Sequence, residues 1–176
     1  MRAFLIFLVC LPTYAFAAGG ADRGAPKPTA TTTTCQGVTV WDEEKKRCIS
    51  PKQSSLDTDG LYRAARELAY AGRYLDAQAV LLTIADQTDG RVLTYWGFTH
   101  RKLGNADLAK VYYDQALAQN PNNLLARSYL GQSYADAGQS AQAYAQWIEI
   151  RDRGGAGTWP EVSLRETLET GQTFNY

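Results

Sequence analysis

The sequence is short of most of what chemistry at a site requires. Its 18 basic residues are matched by 18 acidic ones. That balance excludes the basic excess of a general nucleic-acid binder. One histidine and three cysteines are too few and too scattered for a zinc ligand set. The glycine cluster Gly154-Gly155-Ala156-Gly157 has no Lys-Ser or Lys-Thr after it, so it is not a phosphate loop. The adjacent carboxylates Glu43 and Glu44 sit beside Lys45 and Lys46, as a charged turn does. His100 has no nucleophile or carboxylate placed with it in the pattern. The expectation is a protein that is not an enzyme and that carries no cofactor or metal. Long apolar runs are also missing, so no membrane span is expected in the mature chain.

The longest apolar stretch is N-terminal. Arg2 precedes Ala3 to Leu11, Pro12 breaks the run, and Ala15-Phe16-Ala17 supplies small residues. This is the pattern of a signal peptide over residues 1–18, cleaved after Ala17 or Ala18. Delivery to a periplasm, or secretion, follows as the expected location. Cys10 leaves with the signal, and Cys35 and Cys48 remain. An even cysteine pair in an exported chain predicts a disulfide. The enclosed sequence reads as a small hairpin over residues 35–50: a strand at Gly37 to Trp41, a turn at Asp42 to Lys46, and a return at Arg47 to Ile49. Residues 19–34 are rich in Gly, Pro and Thr and are expected to be a disordered linker. Pro51 to Ser55 reads as a second short linker.

From residue 56 to 153 the pattern is helical and repeats. A shift of 34 residues places Trp96 on Leu130, Gly97 on Gly131, Gly104 on Gly138, Ala109 on Ala143 and Tyr113 on Trp147. A shift of 32 brings Ala65, Gly72, Ala77 and Leu81 onto Gly97, Gly104, Ala109 and Tyr113. A fixed period of this size marks a repeat architecture. Gly72, Gly104 and Gly138 are expected to close the first helix of each unit. Ala77, Ala109 and Ala143 let the second helix approach it.

The series Trp96-Gly97, Gly104, Ala109, Tyr113, Ala116-Leu117, Pro121 resembles the tetratricopeptide repeat. Leu130-Gly131, Tyr134, Gly138, Ala143 and Trp147 resemble a second copy. Ala64-Ala65, Leu68, Gly72, Tyr74 and Ala77 form a third, which departs by lacking the glycine in its first helix and the terminal proline. The resemblance implies an all-α fold: a short right-handed solenoid of helix pairs over residues 58–89, 90–123 and 124–153. Residues 158–171 then read as a capping helix, with Thr158 as cap and Glu161 reaching back. Gly154 to Gly157 reads as a flexible break before it.

The resemblance also implies a concave groove, lined by the first helix of each unit, that holds an extended protein segment. Rotating those helices about their buried stripes puts Tyr62, Arg66 and Tyr70, then Arg91, Thr94, Phe98, Arg101 and Lys102, then Leu125, Ser128, Gln132 and Asp136 on that face. Arginines and aromatics are common interface anchors. Four cations converging there make an acidic segment a candidate partner. The family's clamp for a peptide C-terminal carboxylate uses lysine and asparagine where this chain has Tyr62, Arg66, Thr94 and Phe98, which sets that activity aside. The expected role is a non-catalytic adaptor or assembly factor of the cell envelope. The alternatives are a self-associating structural component, with Trp159, Phe174 and Tyr176 as contacts, and a partner-dependent enzyme subunit.

Overall fold

The computed structural model describes residues 25–174. The signal segment expected at 1–18 lies outside the described residues. A one-turn helix, α1 (Ala30–Thr33), leads into an antiparallel hairpin of β1 (Val40–Asp42) and β2 (Arg47–Ile49). A 3-10 turn over Pro51–Gln53 follows. Then come α2 (Thr58–Tyr70), α3 (Tyr74–Leu81), α4 (Gly90–Lys102), α5 (Ala106–Gln119), α6 (Leu124–Asp136), α7 (Ser140–Ile150) and α8 (Trp159–Thr170).

The helices pair as α2 with α3, α4 with α5, and α6 with α7. Each pair turns at a glycine. Gly104 sits at φ +84°, with Gly72 and Gly138 in the same conformation. Beyond it the Asn105 N–H bonds back to the His100 carbonyl at 2.9 Å, and Arg73 and Gln139 repeat the bond to Leu68 and Tyr134. These are left-handed C-terminal caps that satisfy carbonyls the helix leaves open. The small residues do what the spacing predicts: Ala77, Ala109 and Ala143 are fully buried. At Gly97 the helices approach so closely that a Cβ would lie 2.5 Å from the Tyr113 ring.

The first helices also pack on one another, α2 on α4, α4 on α6 and α6 on α8. They form an inner row, knitted by aromatic rings. Tyr62 meets Tyr95 edge-on at 5.7 Å, Tyr95 meets Tyr129 at 6.3 Å, and Phe98 meets Tyr129 at 4.8 Å. Helix α8 takes the next place in that row. Leu164 is buried against Gly131, and Ser163 and Ser128 share a hydrogen bond of 3.0 Å. Capping this end therefore uses half a repeat. Thr158 is the residue before the helix, but its hydroxyl donates to Gly155 O at 2.6 Å instead of capping the helix. Glu161 reaches back to the Gly157 N–H and accepts from Trp147 Nε1 at 2.7 Å.

The stretches expected as linkers or breaks are held by specific contacts where the structure describes them. The described part of the 19–34 linker is anchored, because the Glu67 carboxylate accepts the Thr29 N–H at 2.7 Å, the Thr29 hydroxyl at 2.8 Å and the Thr32 hydroxyl. Glu67 is itself buried, and these donors satisfy a charge that would otherwise be costly there. The Pro51 to Ser55 stretch is fastened to the hairpin through Asp42, which accepts from the Ser55 N–H at 2.7 Å. The 154–157 break is a packed corner. Gly155 is buried, and a Cβ on it would stand 2.6 Å from Ile150 and 2.9 Å from Leu124.

Cys35 and Cys48 are joined in a disulfide. The hairpin they close does not hang free. Val40 is fully buried in the core with Leu61, Leu68 and Val80. Arg73 donates to the Cys35 carbonyl at 2.9 Å and the Gly37 carbonyl at 2.6 Å. The hairpin and α1 thus cover the outer end of the first helix pair, as α8 covers the last. Among the described residues no helix is long and apolar enough to cross a membrane.

Candidate binding face

The inner row presents the face on which twelve groove residues were expected. The structure sorts them by depth. Tyr62, Thr94, Phe98, Arg101 and Gln132 are buried, Arg66, Tyr70 and Lys102 are half-buried, and Arg91 is exposed. The depth has a physical cause. Neighbouring first helices lie close enough that side chains on their facing edges fill the space between units. Phe98 is wedged between Tyr74 of α3 and Tyr129 of α6. Thr94 donates to Gly90 O at 2.6 Å and receives Asn123 Nδ2 at 2.9 Å.

The cations do not form one positive field. Arg91 lies over the Tyr62 ring and is paired with Asp59 at 2.9 Å and Asp89 at 2.7 Å. Arg101 is paired with Asp136 at 2.9 Å, its own side chain only 3% exposed. Arg66 donates to the Tyr95 hydroxyl at 3.1 Å. Lys102 lies 5.8 Å from the Phe98 ring centre. Burial, with Arg101 beside it, pulls its ammonium down to about 8. Leu125 is half-buried, and Ser128 is buried in its bond to Ser163.

The far end of the face is polar and enclosed. Gln132 is fully buried, its Nε2 donating to Ser128 Oγ at 3.3 Å. Its Oε1 accepts from Arg101 Nη2 at 3.4 Å and from the backbone N–H of Phe174 at 2.8 Å. Arg101 Nη2 also donates to the Phe174 carbonyl at 3.4 Å. The Phe174 ring stands edge-on to Trp159, 5.6 Å between centres. The C-terminal segment therefore lies on residues expected to line the groove. Helical rotation had named Arg101 and Gln132 among the groove residues. It gave no sign of Tyr95 and Tyr129 as the spine, nor of Asp59 and Asp89 as the charges that neutralise Arg91.

His100 is part of a ring stack, 5.8 Å from Trp96 and 5.5 Å from Tyr112. Burial holds its imidazole below the ordinary value. Among the described residues no group of three His, Cys, Asp or Glu side chains could hold a metal ion.

A sequence model of the tetratricopeptide repeat matches residues 90–123. That stretch is α4 and α5 with the turn that follows. It is similar to a tetratricopeptide repeat, and the helix pairs α2–α3 and α6–α7 pack against it. Comparisons with curated proteins and with solved structures return no match.

Proposed function

We propose that this chain is an adaptor or assembly factor of the cell envelope that holds an extended protein segment on the inner face of its helix row. A tetratricopeptide repeat is a module for protein–protein interaction, and that much follows from the family. The envelope location rests on the N-terminal signal pattern and the oxidised cysteine pair. The observation that carries the groove reading is the engagement of a main-chain segment by Arg101 and Gln132. Side chains of the inner row can thus satisfy both polar groups of an extended backbone.

Charge plays a smaller part than the composition of the face suggests. An acidic partner meeting Arg91 or Arg101 competes with Asp59, Asp89 and Asp136. Arg66, half-buried on Tyr95, and Lys102, half-buried beside the Phe98 ring, lie on the same face, and acidic side chains of the partner are assigned to them. The test is affinity capture from an envelope extract with the mature, oxidised chain, beside an Arg66→Glu plus Lys102→Glu variant checked for unchanged helix content. Partners retained by the first and lost by the second support the reading. Identical partners for both remove it.

Self-association is the second reading. It is favoured by an open depression on the outer side, lined by Leu82, Leu93, Trp96, Leu108, Val111 and Tyr112, with Leu82 66% exposed. Sedimentation over a wide concentration range decides it, since a monomer throughout is incompatible with it. An enzyme subunit completed by a partner has no observation in its favour.

A further inference from the structure

We infer that Arg101, Gln132 and Trp159 form a peptide subsite for an extended segment bearing an aromatic side chain, and that the chain's own Thr173-Phe174 fills it in cis. The inference rests on the reading of the inner face as a binding surface and adds what binds there and what must leave first.

The geometry begins at Gly171. Helix α8 ends there with φ +74°, and its N–H closes on the Thr167 carbonyl at 2.8 Å. That left-handed residue turns the chain out of the helix, as glycine at this position does. The next residues reach α6 and α4. At Phe174 one residue has both main-chain groups taken by side chains: N–H by Gln132 Oε1 at 2.8 Å, carbonyl by Arg101 Nη2 at 3.4 Å. This pairing is what a neighbouring β-strand would offer, supplied by two side chains, and it reads backbone instead of sequence. Selectivity comes from the ring. Phe174 meets Trp159 edge-on, a contact open to any aromatic and closed to small or charged side chains.

The clamp is rigid before any ligand arrives. Gln132 is held by Ser128, and Arg101 by Asp136, so neither has to be ordered on binding. Pre-ordered donors and acceptors lose little entropy when a segment docks. The balanced charge of Arg101 also means that the subsite asks for a neutral backbone, not a carboxylate. A short tether keeps the tail at an effective concentration in the millimolar range, so an external segment of similar chemistry binds only by displacing it.

The test uses the full mature chain and a fluorescent, C-terminally amidated peptide of residues 170–174, followed by anisotropy. Phe174→Pro removes both the ring and the N–H that Gln132 accepts. It lies beyond the last helix and is checked by circular dichroism. The variant should bind the peptide at least about tenfold more tightly than the unaltered chain, whose site is filled in cis. A peptide with alanine at the Phe174 position should bind the variant about tenfold more weakly. Equal affinity of the two chains, or of the two peptides, overturns the subsite. Should Phe174→Pro fail to fold, hydrogen exchange at Phe174 in the unaltered chain decides. A protected amide that the peptide exposes supports the subsite, and an unprotected one overturns it. A captured partner then separates the two claims. If the peptide binds the variant but does not compete with that partner, the subsite stands and the inner face is not the partner's site. If the partner is lost with Arg66→Glu plus Lys102→Glu while the two peptides bind the Phe174→Pro chain equally, the adaptor reading stands and the subsite falls.

Discussion

Gly97→Ala puts the close helix approach of the second unit to the test. An added Cβ would meet Tyr113 Cε1 at 2.5 Å, Cδ1 at 2.6 Å and Cζ at 3.0 Å. Carbon atoms prefer separations of about 3.5 to 4 Å, so the ring must retreat by about 1 Å. Tyr113 is fully buried, with no open space to move into. Overpacking of this kind costs about 1–3 kcal/mol. Alanine returns about 1 kcal/mol of helix propensity over glycine. The expected net loss is up to about 2 kcal/mol, or up to about 8 °C in melting temperature for a domain of this size. Thermal and urea unfolding followed by far-UV circular dichroism, with the disulfide intact, measures it. Gly131→Ala is the internal comparison. Its Cβ would meet Leu164 Cδ2 at 2.5 Å and Cδ1 at 2.8 Å, the free ends of a flexible side chain, with Gln146 Cβ at 3.2 Å. It should cost less. Tyr113→Leu should rescue much of the Gly97→Ala loss, with a coupling of about 1 kcal/mol. A Gly97→Ala protein more stable than the parent by the full helix-propensity gain, or strict additivity with Tyr113→Leu, would refute the argument that a fixed ring sets this spacing.

Replacing Cys35 and Cys48 by serine should lower stability by about 3 kcal/mol in the chain-entropy model, since the bridge spans 13 residues of separation. Hydrogen exchange should show the loss first in α2, which the hairpin covers. Asp42 is held at about 2, first by the Ser55 N–H and then by the Lys45 N–H against the opposing effect of burial. Its folded value lies below its unfolded one, so its contribution is complete above the ordinary value of 3.8 and fades as pH falls toward 2. Asp42→Asn should therefore flatten the acid limb of a stability–pH curve, and an unchanged limb would count against the role given to this carboxylate. Lys102 gives a slope of the same sign in a higher window. Burial depresses its ammonium from 10.5 to about 8, so the unfolded chain holds the proton longer and stability should rise with pH across that window. Lys102→Met should abolish the rise, and unfolding titrations at both ends of the window check it.

The repeat was readable because its determinants are local and periodic. Gly104 and Ala109 recur at Gly138 and Ala143 with one period, and each has a backbone or contact reason to be small. The ends of the solenoid were harder. Threonine-rich composition at residues 29–34 reads as disorder because nothing nearby buries apolar surface. What orders it is Glu67, distant in sequence and indistinguishable there from a solvated helix charge. Gly155 reads as a hinge for the same reason, although its missing side chain admits Ile150 and Leu124. On the inner face, helical rotation named Arg101 and Gln132, and the structure places both beside Phe174. Rotation could not tell that facing edges would bury Thr94 and Phe98, because depth depends on how closely successive units stack. The tail on the clamp had no signal in the pattern, since two hydrogen bonds to a backbone leave no trace in side-chain identity.

The two ends of the helix row are finished by different chemistries. One is closed by further folding of the same kind, half a repeat in α8, available as soon as that stretch of chain exists. The other is closed by a clip whose final bond needs an oxidant. While the thiols are reduced, the outer side of the first pair is fastened only by Val40 and by the hydrogen bonds of Arg73 and Glu67. The chain thus carries a record of where it has been: its last increment of stability arrives from its surroundings, and a copy kept in a reducing compartment is held at one end by noncovalent contacts alone.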